Sequence, residues 1–472
     1  DVCSSDLMNR FAISQLSFDS IIYSIESGNA SLLEVIHKPN IVLSVSPNNQ
    51  VITNYFMENF SQLLDIVIDL ATDIRLMRCT QGILEKLARY FSAKISENEY
   101  FYNKLQERLD DGTTRTDTLK VFAQLIMIMI KNQNSNVNCN LYSKKEIIQK
   151  LFMKIEIESI YDIVWNLSND SNEMISSFME DLNATDMYFR MIENEEPDLI
   201  LLAKILCIIT IMVINARSNS CLIFEIINKD ERVEKIFNWA LNATDNEISY
   251  WAFSLIIEIC SKADDDSYSD YCEEDFESQK FYEYAFSNLS KICKFITSSS
   301  TFCSRHQKAL ELVVLFLRSS EEEPKNFIIE TAKILFDRFF ELKVNSNFHF
   351  AFYDLFTALM QNQSWNLLVK EIDFQNRIVQ QFNKRDEIKN ANYWGFLYKI
   401  AEIIIENDSL TNSNEKNSEW KNFRLNQFNN MKNIIEKEYG GPLPRPFFSD
   451  SDFDFDYIYP CEVEEEDEEE SY

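Results

Sequence analysis

The sequence is poor in the residues that break helices. Six Gly and eight Pro occur in 472 residues, and two of those Gly and four of those Pro lie after Tyr439. Only Gly28, Gly82, Gly112 and Gly395 serve everything before. A β-rich chain or a dinucleotide-binding fold needs turn and phosphate-loop glycines far more often, so both are excluded. Histidine is scarcer still. His37, His306 and His349 are the only three, and none has a second His one helical turn away, which removes the usual zinc spacings. No Gly-Asp dipeptide, G-x-G-x-x-G or Walker-type loop occurs. The ten Cys show no C-x-x-C spacing. Most, such as Cys79, Cys207 and Cys260, sit in apolar helical patterns and read as small buried thiols of a reducing compartment. With no nucleophile, acid–base or metal set in view, the chain is expected to be no enzyme and to carry no cofactor and no metal.

Basic charge is also in deficit. There are 45 Lys and Arg against 76 Asp and Glu, a net charge of −31. A protein that grips a phosphate backbone wants a basic face, so nucleic acid is not an expected partner. The acid is concentrated at the end, where Ser449 to Tyr472 holds twelve Asp or Glu and no Lys or Arg. Gly440, Gly441, Pro442, Pro444 and Pro446 precede it. Such composition repels itself and supplies no core. Residues 440–472 are therefore expected to form a disordered acidic tail. Within it Ser449 and Ser451, each with Asp at the next and the third position, are candidate phosphorylation sites. At the other end, residues 1–7, DVCSSDL, resemble a translated sequencing adapter and are set apart from the fold.

What the chain does have is apolar helical pattern. The longest apolar run, Leu199 to Ala216, is at the lower edge of what crosses a bilayer. Lys204 inside it and the acidic flank Glu193 to Pro197 argue against insertion. It reads as a core helix buried on nearly all sides, with Pro197 in its first turn. Ile248, Trp251, Ala252, Leu255, Ile256 and Ile259 trace one helical face, as do Ile328, Ala332, Leu335, Phe336, Phe339 and Leu342. Val51 to Ala71 and Ile147 to Leu167 each read as one helix. Gly112 and the polar stretch Asn132 to Asn140 read as turns, and the acidic run Asp264 to Glu277 as an exposed loop. About sixteen to eighteen short helices cannot bury their apolar faces alone, so neighbouring pairs must supply the core. The pairs recur at roughly the forty-residue scale of armadillo and HEAT units. The fold class is all-α: an armadillo/HEAT-like superhelix of stacked helical pairs over residues 8–439, with a large irregular bundle as the alternative.

Several stretches resemble the motifs of one family. Phe11 to Ile36, FAISQLSFDSIIYSIESGNASLLEVI, resembles the family's opening pattern F-T-L-E-E-L-L-D-E-D-x-L followed by Q-N-x-x-L-I-x-F-L, with Asn29, Leu32 and Leu33 in register. Lys154 to Ile163, KIEIESIYDI, resembles H-I-G-T-S-A-I-M-D-L through Ile155, Ile160 and Asp162, although the Gly-Thr-Ser is replaced. Phe178 to Ile192, and the central run with Ala203 and Cys207, fall where the family has W-L-x-x-x-x-L-I-P-x-L-I and N-A-A-Q-T-L-C-D-I-I. Phe253 to Tyr271 resembles G-x-S-V-L-I-E-L-L and N-x-S-D-Y through Glu258, Ser269, Asp270 and Tyr271. Ile334 to His349, ILFDRFFELKVNSNFH, resembles I-L-L-D-L-F-F-x-Y-P-W-N-N-F-L-H through Ile334, Leu335, Asp337, Phe339, Phe340, Asn345 and His349, without the Pro-Trp. Trp394 to Asn407 resembles Y-G-H-L-T-R-I-A-N-x-I-V-x-N, and Ser449 to Asp456 resembles S-S-S-D-S-D-F-D.

In these motifs the chain resembles the SAPS-domain regulatory subunits associated with protein phosphatase 6 and its yeast relative. The resemblance implies an all-α, armadillo-like superhelix that binds a serine/threonine phosphatase catalytic subunit, protein phosphatase 6-like, and directs it without being catalytic. Further scaffold subunits are conceivable partners, and the cytoplasm, with the nucleus second, is the expected compartment. Asn345 and His349 on the turn Lys343 to His349, together with Asp270 and Tyr271, are the candidate partner contacts. For His349 a local packing or capping role is the competing reading. The competing function is a HEAT-like adaptor of another pathway, such as transport or trafficking.

Overall fold

A computed structural model describes residues 21–69, 73–111, 115–132, 134–194, 198–216, 221–263, 276–299, 301–319, 325–361, 372–388, 390–411 and 418–435. Among the described residues every regular element is a helix. The all-α expectation therefore holds. Two compact units are present, Asp1–Leu368 and Val369–Tyr472, and the helical domain expected over 8–439 spans both.

Residues 21–26 of the first unit are helical, and α1 (Leu32–Ile36), α2 (Ile41–Ser44), α3 (Gln50–Glu58) and α4 (Phe60–Asp69) follow. Then comes a recurring set of three. It is made by α5 (Ile74–Tyr90), α6 (Ser92–Ser96) and α7 (Glu99–Asp110), then by α8 (Thr116–Lys131), α9 (Ser135–Ser143) and α10 (Lys145–Phe152). The third set is α11 (Glu158–Ser168), α12 (Glu173–Asp181) and α13 (Ala184–Asn194), and the fourth is α14 (Leu199–Ile214), α15 (Cys221–Ile227) and α16 (Asp230–Asn242). The series continues with α17 (Asn246–Ala263), α18 (Phe276–Ser287) and α19 (Leu289–Ser298), then α20 (Ser304–Ser319), α21 (Asn326–Glu341) and α22 (Ser346–Gln361).

The first helix of each set packs on the first helix of the next, α5 on α8, α8 on α11, α11 on α14, α14 on α17 and α17 on α20, and the ladder ends with α20 on α22, the last helix of its own set. Shorter partners follow the same rule, α6 on α9, α7 on α10, α15 on α18 and α16 on α19. Each unit of a solenoid completes the core of its neighbour in this way. The ladder helices begin at residues 74, 116, 158, 199, 246, 304 and 346, roughly forty to sixty apart, the armadillo scale for most steps. The longest step contains the acidic run from Asp264.

Hydrogen bonds record the same repeat in a chain without sequence repeat. Gln81 donates to Gln124, Asn132 to the Arg89 carbonyl and Asn215 to the Ser168 carbonyl, and these partners are 43, 43 and 47 positions apart. Lys204, the one charge in the central run, pairs with Glu158 across 46 positions and lies 4.8 Å from the Tyr161 ring centroid. Its alkyl stem is covered while its ammonium reaches a carboxylate. A lysine there is thus compatible with a core helix. The helix α14 buries eleven side chains from Leu202 to Val213. Its first turn differs from expectation, since Leu199 and Ile200 are 54% and 72% exposed and Asp198 is the N-cap. Pro197 lies outside the described residues. No helix among the described residues is long and apolar enough to cross a membrane.

Three local readings are corrected. Val51 to Ala71 is two helices, broken at Asn59, whose backbone N–H and side-chain amide both donate to the Tyr55 carbonyl. Ile147 to Leu167 is likewise divided, by the turn Met153 to Ile157. The polar stretch Asn132 to Asn140 is no turn: α9 starts at Ser135, capped by Asn134, and buries Val137 and Leu141. Asparagine here does work that glycine does elsewhere. Asn98, Asn134, Asn172, Asp73 and Asp198 cap helices through their side chains. Asn40, Asn183 and Asp373 hold left-handed backbone with φ of 61°, 51° and 55°.

The second unit contains α23 (Phe374–Asn383), α24 (Trp394–Thr411), α25 (Ser418–Asn422), a π-helical turn (Phe423–Phe428) and α26 (Asn429–Ile435). Its core is aromatic. Phe423 packs on Phe382 and Trp420 with ring centroids 5.0 and 5.3 Å away, and Tyr398 stacks on Phe428 at 4.9 Å. The tail from Gly440, with Ser449 and Ser451, lies outside the described residues, as do residues 1–7.

Candidate partner-binding surfaces

The turn between α21 and α22 shows why His349 and Asn345 stand where they do. The last carbonyls of a helix have no partner within it. His349, the fourth residue of α22, directs Nε2 to the Phe339 carbonyl in the last turn of α21, 3.1 Å away. A carbonyl only accepts, so Nε2 carries the proton. Two ladder helices earlier Ser249, the fourth residue of α17, donates to the Ala240 carbonyl near the end of α16, at 2.6 Å. The same need is met at an equivalent place by a different residue. His349 is fully buried, with its ring 4.7 Å from that of Phe339. Burial holds its pKa below the ordinary imidazole value, opposed by the Phe339 hydrogen bond.

Asn345 caps α22, accepting from the Phe348 N–H at 3.0 Å, and donates to the Phe302 carbonyl 3.3 Å away at the head of α20. Packing and capping therefore occupy both side chains, and the face this turn offers outward is Val344, 74% exposed, beside the exposed Lys343. Asp270 and Tyr271 lie outside the described residues.

His306, at the start of α20, has the opposite role. Its Nδ1 accepts from the Cys303 N–H at 3.2 Å, with the Cys303 Sγ also at 3.2 Å. Its ring stacks on Phe295 at 5.0 Å. Burial, joined by the charges of Arg305 and Arg338, lowers its pKa to about 4. Cys303 in turn donates to Asn246 at 3.8 Å. The thiols of Cys79, Cys139, Cys207, Cys260, Cys293 and Cys303 are all free. No group of His, Cys, Asp or Glu able to hold a metal ion is present among the described residues.

A buried ionic cluster, not anticipated from the sequence, ties the third set to the fourth. Arg232 of α16, 4% exposed, donates to Asp186 at 2.9 Å, to Glu193 at 2.6 Å and to the Ile226 carbonyl at 2.8 Å, and covers the Phe189 ring. Arg190 and Lys229 also face Asp186. Burial raises the Asp186 pKa, but Arg232, Arg190 and Lys229 outweigh it and hold the carboxyl below its usual range. No sequence signal joins Arg232 to two acids on a helix some forty residues earlier, since i,i+4 reading sees only pairs within one helix.

Beside this cluster lies a cleft of about 670 Å³ floored by Met153, Met187, Met191 and Leu201. Leu199 and Ile200 continue it as exposed aliphatic surface. Flexible methionine floors suit adaptable protein contacts.

No family model matches the chain, and no curated protein matches it. Among solved structures it is similar to an engineered protein at 12% identity, over 79% of this chain and 98% of the other, with a TM-score of 0.35.

Proposed function

We propose that this chain is a non-catalytic regulatory scaffold that binds a serine/threonine phosphatase catalytic subunit, protein phosphatase 6-like, and directs its activity or choice of substrate. The observation that carries the reading is the ladder of three-helix sets. Along it the described parts of the SAPS-like segments fall in family order, from the strip ending at Ile36 to the one ending at His349. Stacked repeats present long rigid surfaces, and partner contacts then lie on the exposed turns between helices.

The structural duties of Asn345 and His349 move the proposed contact to their exposed neighbours, Lys343 and Val344. The test is affinity capture of the tagged chain with identification of its partners by mass spectrometry. A phosphatase catalytic chain is expected in the capture, weakened by Val344→Asp with an unchanged melting temperature. Capture of transport or trafficking proteins, with no phosphatase, would favour the adaptor reading.

A further inference from the structure

Between α16 and the helices α18 and α19 runs a groove of about 640 Å³. Its floor is aromatic: Phe237 and Tyr284 meet edge to face at 5.0 Å, and Phe295 lies further along. One wall is α16, where Asn238 and Asn242 are exposed and the Asn242 amide donates to Asn238 at 2.8 Å. On the other wall α19 presents Lys291 and Lys294, both exposed.

The charge of this wall runs against that of the molecule. In a chain of net charge −31, some described lysines, Lys104, Lys131, Lys144 and Lys204 among them, are paired with carboxylates. Lys291 instead donates to the amide oxygen of Asn288 at 2.8 Å, and neither it nor Lys294 pairs with a described carboxylate. Arg305 adds a third cation at the Asn242 end. Its guanidinium donates to the Ala243 carbonyl at 3.2 Å and lies 5.5 Å from the Phe295 ring centroid. Glu234 is the single acidic residue on the walls, two turns of α16 away from Asn242.

We propose that this groove binds an acidic, aromatic-containing peptide segment of a protein partner. Its carboxylates would face Lys291 and Lys294, its rings would rest on Phe237, Tyr284 and Phe295, and the Asn238 and Asn242 amides would bond its polar groups. Carboxylate–lysine attraction is short-ranged at physiological salt, so a short acidic segment feels the local cations. A long polyanion would meet the repulsion of the whole molecule, which sets nucleic acid aside. The site is independent of the phosphatase reading.

The experiment titrates the full chain into a short fluorescently labelled peptide of alternating Asp and Phe and follows anisotropy. Saturable binding that weakens with salt is expected, with a loss of about tenfold in K291E/K294E. The variant should melt as the parent does, because both lysines are exposed. N238D/N242D, which adds acid to the opposite wall, should weaken binding as well. A peptide of alternating Lys and Phe should not bind. Equal affinity for parent and K291E/K294E, no saturation, or displacement by oligothymidylate would each overturn the proposal. No phosphatase is in the assay, so its failure leaves the scaffold reading standing.

Discussion

At the scale of single residues, the two buried histidines make the fold acid-sensitive in a predictable window. Both have folded-state pKa values held down, His306 to about 4 mainly by burial. Unfolded histidine titrates near 6.5. Between those values the unfolded chain binds protons that the folded chain refuses, so stability is present above pH about 6.5 and is lost as pH falls. Each such histidine contributes a slope of up to about 1.4 kcal/mol per pH unit. The melting temperature should fall between pH 7 and pH 5, and His306→Gln should flatten that fall relative to the parent. An identical pH dependence in the variant would contradict it. The sequence shows His306 and His349 as isolated, without a second His one helical turn away. It cannot show that His349 meets the Phe339 carbonyl at the end of the preceding helix or that His306 accepts from the Cys303 N–H, because both partners are backbone groups.

At the scale of elements, α14 decides the most. Leu206 is completely buried among the ladder helices. An unpaired carboxylate there has no partner, and such burial costs several kcal/mol. Leu206→Asp should therefore abolish cooperative unfolding, read by thermal denaturation, and a parent-like melt would show that α14 is not core. The existence and core role of this helix were legible from its apolar run, and the stripe Ile248 to Ile259 was legible from its spacing. The boundaries at Asn59 and the helix starting at Ser135 were not. Asparagine both caps helices and lies within them, and its chemistry alone does not tell which. In Asn132 to Asn140 only Val137 carries the buried face into that polar segment, too little for a periodic signal.

At the scale of the whole molecule, the repeat exists in space and not in the letters. Gln81 meets Gln124, Asn215 meets the Ser168 carbonyl and Arg338 meets the Thr297 carbonyl across comparable intervals, and among them only the asparagine is repeated in role, by Asn132 on the Arg89 carbonyl. The apolar spacing that does recur is common to any packed helix, so the period was visible only as a recurrence of helix lengths. Scarce glycine and proline excluded sheet structure correctly. The acid excess, by contrast, conceals the local cations Lys291 and Lys294 of α19, which become the wall of a groove only when α16 and α19 come together. The central claim, a scaffold for a phosphatase, is tested most directly by size-exclusion chromatography of the purified chain with a protein phosphatase 6-like catalytic subunit. Co-elution of the two in a peak of larger size than either alone is predicted, and independent elution at concentrations well above a micromolar dissociation constant would contradict it.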